Sequence, residues 1–395
     1  MRIGLISGEY PPMQGGVGDF SAQLARSLAD LNHEVHVVTT DLPDPAPSTD
    51  GAPSTDDAGS ADGASGVMVH RVITGWGWGC WGEIMELACE IRLDVLNVQY
   101  QAAAYGMHPA INFVPGRRER PVAVTFHDLR SPYLFPKAGP LRWWVVRSCA
   151  RRAERVIVTN REDYLRLQDE MSRKRLSMIP IGSNIPPSPP PGYDRQAERA
   201  RWGVGEEDVL LGYFGFLNAS KGGEVLIQSL GLLVDQGVPA QLLMVGGRVG
   251  SSDPSNRAYL EQVMALIDRL GLADRVHWTG YTRPADVSAG LLATDVCVLP
   301  YRDGVSFRRG TLHACLAHGR AIVTTRPAVA LEEVRDGENM LLAPPGDPAG
   351  LASCVRRLVE NPALRTRLEV GARAVAADFT WERIARKTAA IFGRL

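Results

Sequence analysis

The chain predicts an α/β protein with two doubly wound parallel sheets. Three observations carry this. Short apolar runs alternate with helix-period stretches along nearly the whole length. The alternation breaks once, at the proline-dense NIPPSPPP of 184–191. Each half then opens alike: RIGLIS leads into GEYPPMQGG, and VLLGYF leads into GFLNASKGG, in both cases a buried-type strand followed by a glycine-containing loop. In such sheets ligands bind beyond the carboxyl ends of the strands, so the loops leaving strands are where function is sought.

In the first half, Arg2–Ser7 reads as a strand, 21–31 as a helix and Glu34–Thr40 as the next strand. Between the first two, prolines prevent regular structure, and Gly15, Gly16 and Gly18 let the backbone come close to a ligand. Gly16-Val17-Gly18 looks like the start of the dinucleotide fingerprint G-x-G-x-x-G, with Asp41 in the place of a ribose-binding acid. Ser21 replaces the third glycine, however, and eight residues separate Ser7 from Gly16, so a nicotinamide site is disfavoured. Residues 41–66 are dominated by Pro, Ser, Asp, Gly and Ala and read as a mobile surface insertion. Val67–Ile73 resumes the sheet. Trp76, Trp78 and Trp81 follow, either a stacking platform for a sugar or packing against a helix.

Strands are expected at 94–100, where Gln99 and Gln101 stand at the carboxyl end, and at 121–126, which ends in His127. A histidine at the tip of a central parallel strand is placed for ligand contact. The stretch 139–155 reads as a basic helix on which Arg142, Arg147, Arg151, Arg152 and Arg155 can share a broad face with Trp143 and Trp144. That face suits an anionic membrane or lipid-linked acceptor; the alternative is an ordinary solvated helix face. Strands at 156–160 and 176–181 complete the half.

The second half begins with Val209–Phe214, a loop carrying Gly215 and Lys221, and a helix at 224–235. Lysine at a helix start suits an anion, although the P-loop pattern is absent. A strand at 241–246 ends in Gly246-Gly247. A helix at 256–270 and a strand at 275–279 lead to Gly280-Tyr281. The central stretch is 299–325, LPYRDGVSFRRGTLHACLAHGRAIVTT. A strand at 295–300 enters a loop with Asp303, Ser306, Arg308 and Arg309, followed by a small-residue helix at 310–318 and the strand Ala321–Thr325. Free amides at the helix start and forked arginine donors suit a diphosphate. Helices from about Pro348, Pro362 and Trp381 finish the chain.

Composition narrows the class. A chain of 395 residues with 45% hydrophobic and 22% charged residues fits a two-domain globular protein, and a formal net charge of −1 offers no global case for nucleic acid. The six cysteines show no C-x-x-C, which fits reduced thiols in a cytoplasmic protein. The opening strand leaves no room for a signal peptide, and no run is long enough to span a membrane.

Seven segments in order, GEYPPMQGGVGDFS, TFHDL, GFLNASKGG, MVGG, HWTGY, DVCVLPYRDGVSFRRGTLHACLAHGRAIVTT and EEVRDGENMLLAPPGDPAGLA, resemble the retaining glycosyltransferases of family 4, over essentially the whole chain. The resemblance implies the GT-B fold, two Rossmann-like domains facing across a cleft: 1–185 on the acceptor side, 186–191 as linker, 192–380 binding the nucleotide sugar, and 381–395 crossing back to the first domain. It implies transfer from a nucleotide-diphosphate sugar, UDP-linked in this reading, to a hydroxyl of a sugar, lipid-linked or small-molecule acceptor. Peripheral membrane contact through 139–155 belongs to the same expectation. Gly15 and Gly16 would meet the donor diphosphate with backbone N–H groups, and His127 would lie beside the transferred sugar. Lys221, Ser306, Arg308 and Arg309 would hold phosphate. Gly246, Gly247, Gly280, Tyr281, Glu332 and Glu333 would surround the nucleoside.

Two departures stand out. Phe216 occupies the usual arginine position. Alignment on Gly319 puts Ser306 and Ala314 where the family has two glutamates eight positions apart, with Asp303 the nearest acidic substitute. The sequence contains no D-x-D, so neither a metal chelated that way nor another cofactor is indicated beyond the nucleotide-sugar co-substrate. The departures leave two alternatives open: a non-catalytic nucleotide-sugar-binding homologue, and an epimerase or phosphorylase on the same fold.

Overall fold

The computed structural model describes residues 1–13, 15–41, 66–116, 119–129, 139, 141–248 and 254–395. The insertion expected at 41–66 lies, but for its two end residues, outside them. Contacts divide the chain into two compact units: Met1–Gly182 together with Thr380–Leu395, and Ser183–Phe379.

In unit 1 the order is β1 (Arg2–Ser7), α1 (Gly16–Ala29), β2 (Glu34–Thr40), β3 (Val67–Ile73), α2 (Cys80–Glu90), β4 (Val95–Tyr100), β5 (Val122–Phe126), α3 (Leu141–Arg152), β6 (Arg155–Val158), α4 (Arg161–Leu167) and β7 (Leu176–Met178). The strands form one sheet in the order β3-β2-β1-β4-β5-β6-β7, every pair parallel. The apolar runs become strands because both faces are covered. One face packs on Ile84, Tyr105, Val146 and Cys149, the other on Phe20, Leu24 and Leu28 of α1.

Unit 2 runs α5 (Arg195–Arg201), β8 (Val209–Phe214), α6 (Gly223–Asp235), β9 (Ala240–Val245), α7 (Pro254–Arg269), β10 (Val276–Gly280), α8 (Pro284–Ala293), β11 (Val296–Leu299), α9 (Gly310–Ala317), β12 (Ala321–Thr325), β13 (Leu341–Ala343), α10 (Pro348–Glu360) and α11 (Pro362–Ala376). Its sheet, β10-β9-β8-β11-β12-β13, is again wholly parallel. The last helix, α12 (Trp381–Phe392), belongs to unit 1, where Trp381 meets Phe20 of α1 with ring centroids 5.2 Å apart.

Both sheets reverse their winding beside their first strand, between β1 and β4 and between β8 and β11. The crevice at such a reversal is where doubly wound sheets bind ligands. The loops at these points carry Gly15 and Gln101 in unit 1, and Lys221 and Asp303–Arg309 in unit 2.

Local expectations fail where periodicity is weak. Helix α1 starts at Gly16, earlier than expected at 21, because its first turn contains two glycines of low helix propensity. Helix α8 is buried over most of its surface and so has no amphipathic signature, while α5 and β13 are too short to show one. The basic helix is also different. Arg155 begins β6, and its guanidinium donates to the carbonyls of Glu154 and Arg394. Arg152 turns inward to the Asn112 carbonyl at 2.9 Å, over the Phe113 ring. Arg147 and Arg151 both reach Glu170, and Arg142 donates to the Gly139 carbonyl. The five arginines therefore do not present one shared face. The exposed side of α3 is instead Leu141, Trp144, Arg147 and Arg151. Among the described residues, no helix is long and apolar enough to cross a membrane.

Candidate functional site

The unit 2 site is built by the loops after β8 and β11. The chain leaves β8 through Gly215, whose φ of +109° a residue with a side chain rarely adopts. A Cβ there would lie 2.6 Å from Thr311 Cγ2 and 3.1 Å from Lys221 Nζ. The loop next turns at Gly222, with φ +68°, where a Cβ would overlap the carbonyl oxygen of Pro300. These two contacts clamp the β8 loop onto the β11 loop and hold Lys221 between them.

Lys221 Nζ donates to the Phe216 carbonyl at 2.8 Å. Burial, with the Arg309 charge beside it, depresses its pKa from 10.5 to about 7. The half-buried ammonium thus rests on a neutral carbonyl oxygen, an arrangement suited to an anionic ligand. The N-cap residues of α6 and α9, Gly222 and Arg309, both lie here and make no side-chain cap. At α6 the Glu224 amide already donates to Tyr259 Oη at 3.2 Å, so the start of α9 is the one suited to an anionic ligand.

Asp303, Arg308 and Arg309 form a second cluster. Arg308 reaches Asp303 at 2.5 Å, and Arg309 grips both carboxylate oxygens at 2.6 and 2.8 Å. Arg309 also lies 3.3 Å from Ser220 Oγ and 4.9 Å from the centre of the Tyr301 ring. The arginines expected to stand open to phosphate thus share one carboxylate, leaving the trio a net charge of +1. Asp303, the acidic substitute suggested by the sequence, is held as their counter-ion. Ser306 and Ala314 are buried in the unit 2 core at 4% and 0% exposure, so neither position presents a polar side chain to an open pocket.

Around the β9 and β10 ends, Gly246 bridges Gly280 and its amide donates to Thr279 Oγ1 at 2.9 Å. Gly247 abuts Phe216, where a Cβ would lie 2.6 Å from the ring. Phe216, the residue in place of the family's arginine, thereby packs its ring on the glycine turn while its carbonyl serves Lys221. Tyr281 is 72% exposed, and Glu332 and Glu333 are both exposed. The structure thus gathers Lys221, Asp303, Arg308 and Arg309 into one neighbourhood and Gly246 with Gly280 into another.

In unit 1, Gly15 is the N-cap of α1 and makes no side-chain cap, and the Glu9 carboxyl occupies the space where a Gly15 side chain would be. Burial, and then Asp19, raises the pKa of Glu9; burial raises that of Asp19. Glu9 escaped the sequence reading, although it lies in the same loop as the glycines. His127 follows β5. Its backbone amide donates to the Tyr100 carbonyl at 3.1 Å, and its ring meets Phe20 edge-on at 4.6 Å. Burial lowers its pKa from 6.5 to about 4, against an opposing pull from Asp128, so the imidazole is neutral at physiological pH. The tryptophans pack rather than form a platform. Trp76 Nε1 donates to Thr40 Oγ1 and Trp81 Nε1 to the Ala110 carbonyl, while Trp78 stays half exposed against Trp81, His108 and Phe113.

Two family models match this chain, Glycosyltransferase Family 4 over 14–185 and Glycosyl transferases group 1 over 208–361, one in each unit. The chain belongs to the family 4 glycosyltransferases. It is 30% identical over 209 residues to a D-inositol 3-phosphate glycosyltransferase of Nocardioides sp., an alignment covering 51% of this chain and 45% of that protein. The chain spans about half the length of the curated relatives it matches. Among solved structures, Anabaena HepE in complex with UDP and glucose matches with a TM-score of 0.77 at 20% identity, covering 100% of both chains. Sucrose-phosphate synthase from Thermosynechococcus elongatus matches with 0.73 at 22%, covering 100% of this chain and 98% of that one. At these identities the likeness is one of fold, and the fold is GT-B.

Proposed function

We propose that the protein transfers a sugar from a nucleoside-diphosphate sugar, UDP-linked, to an acceptor hydroxyl with retention of anomeric configuration. Lys221 carries the proposal: a half-buried ammonium with a depressed pKa, in the same neighbourhood as the uncapped start of α9, calls for an anion such as a diphosphate. As the sugar leaves, negative charge grows on the nucleoside diphosphate. Lys221 and the start of α9 stabilise it, and the net positive trio of Asp303, Arg308 and Arg309 adds to the field. We assign the Gly15 and Gly16 amides to the same diphosphate and His127 to the sugar. Gly246, Gly247, Gly280, Tyr281, Glu332 and Glu333 are assigned to the nucleoside. The acceptor hydroxyl attacks on the face the leaving group vacates, which retains configuration, and its proton passes to the departing diphosphate oxygen. UDP in the HepE complexes supports the choice of base, and relatives named for D-inositol 3-phosphate support a polyol or sugar acceptor.

A thermal-shift screen across UDP-, GDP-, ADP- and TDP-sugars, with and without EDTA, tests the donor. A true donor at 100 times its Kd stabilises the fold by about 2.7 kcal/mol. The largest shift is expected with a UDP-sugar; an equal response to all four, or a shift that EDTA removes, contradicts the assignment. The buried Ser306 and Ala314 favour a second reading, a homologue that binds the donor without turning it over, and donor-sugar release by the purified protein separates the two.

Peripheral membrane contact belongs to the same proposal, narrowed to the first turn of α3, where Leu141 and Trp144 are 64% and 60% exposed. Trp144→Ala is expected to reduce sedimentation with anionic vesicles several-fold while turnover of a soluble acceptor stays normal. Unchanged sedimentation would remove α3 from the membrane.

A further inference from the structure

Strand β4 is buried at all six positions, and two of them, Asn97 and Gln99, are amides with no exposed surface. Thr125 on β5 is buried beside them. Asn97 and Gln99 lie two residues apart on one strand, as do Thr125 and His127 at the end of the next, so the four side chains share a sheet face. Removing an amide from water is unfavourable unless hydrogen bonds replace those lost. Here they are replaced in sequence. Asn97 Nδ2 donates to Thr125 Oγ1 at 3.0 Å, Gln99 Nε2 donates to Asn97 Oδ1, and Gln99 Oε1 lies 2.9 Å from His127 Nε2. Apolar residues of similar shape would fill this part of the sheet without any polar cost. What they could not do is mark one nitrogen of an imidazole.

We propose that Gln99 is a positioning residue: its carbonyl oxygen holds the His127 proton on Nε2, so that the ring offers the Nδ1 lone pair to a hydroxyl of the transferred sugar. This rests on the placement of His127 beside the sugar proposed above. The surroundings fit a fixed neutral ring. Phe20 of α1 meets it at an interplanar angle of 74°, with Trp381 of α12 behind Phe20. Thr159 Oγ1 donates to the His127 carbonyl at 3.3 Å. The charges nearby are Asp128, which favours the imidazolium, and Asp163 on α4, which is itself coupled to Asp128 and paired with Arg166. Burial outweighs Asp128 and keeps the ring neutral. Only the tautomer is then left to set, and the Gln99 carbonyl sets it.

The test is nitrogen NMR of protein labelled with ¹⁵N-histidine, the His127 signals among the 8 histidines being assigned by their loss in His127→Asn. The wild-type ring is expected as the neutral Nε2–H tautomer from pH 6 to 8. Gln99→Leu should give a tautomer mixture and lower kcat by about tenfold or more, with UDP affinity changed less than about twofold. Gln99→Glu keeps an acceptor at the same place. It should restore the tautomer and raise the imidazole pKa, so that kcat gains an acidic limb absent from the wild type. An Nδ1–H ring in the wild type overturns the proposal on the spectrum alone, even if no variant folds. So does an Nε2–H ring untouched by Gln99→Leu. A shifted tautomer with wild-type kcat overturns the positioning role. If His127→Ala itself turns over normally, the placement at the sugar has failed, a result distinct from a wrong tautomer.

Discussion

Lys221→Met lowers sugar transfer by about 10²–10³-fold and at the same time stabilises the ligand-free protein. Both effects come from one half-buried charge. The ammonium is held near a pKa of 7 by burial and by Arg309, against about 10.4 in an unfolded chain. Between these values the unfolded state binds more protons, so the lysine's cost to folding shrinks as pH rises from 7 to 10.4 and is greatest below 7. Methionine removes that cost and loses the hydrogen bond to Phe216, for a net gain of roughly 2–3 kcal/mol at pH 7. Without the ammonium, the diphosphate leaving group loses a preorganised positive charge, a contribution worth about 10²–10³ in rate in comparable sites. Binding carries its own pH signature. Only protonated Lys221 attracts a dianion, so UDP affinity of the wild type should fall above pH 7, by at most about tenfold per unit. The Met variant should show a flat profile from pH 7.5 to 9.5. Calorimetric titration and melting curves over that range check both halves. A variant that melts lower and binds UDP normally would place Lys221 outside the site.

His127→Ala lowers kcat by about 10²–10³-fold and leaves UDP affinity within about threefold of wild type. The motive is position: the residue ends a central strand beside the point where the unit 1 sheet reverses its winding. A neutral ring there can accept a sugar hydroxyl and turn its dipole toward positive charge growing at the anomeric carbon, without acting as a general base. Since its pKa is about 4, no limb of the rate profile between pH 5.5 and 8 should belong to it. A purely structural histidine predicts something else, a lower melting temperature with normal activity in the folded fraction. Steady-state kinetics and melting curves on one variant distinguish them.

Much of this was legible in the sequence. Most strands of both sheets are apolar runs, and five of them, including β1, β8 and β12, have the bounds expected from the sequence. Lys221 and His127 were visible because each follows such a run. What local reading could not show was the pairing of charges. Arg308 and Arg309 look like free phosphate ligands until the turn at Gly304 folds Asp303 back onto them. The arginines of α3 look like one face until Arg152 finds the Asn112 carbonyl. Helix α8 was missed because it is apolar over most of its surface. Gln99 was noticed only for standing at a strand end, since its bond to His127 joins residues 28 positions apart.

The most direct measurement is proton NMR of a UDP-sugar incubated with the purified protein in EDTA, following donor loss, nucleoside-diphosphate release and the anomeric signal of the product. Release of UDP with an α-configured product from an α-linked donor, slowed at least tenfold in Lys221→Met, is the result this account predicts. A donor that binds and is never consumed, whichever nucleotide sugar is supplied, would contradict it, as would an inverted product or a rate indifferent to Lys221.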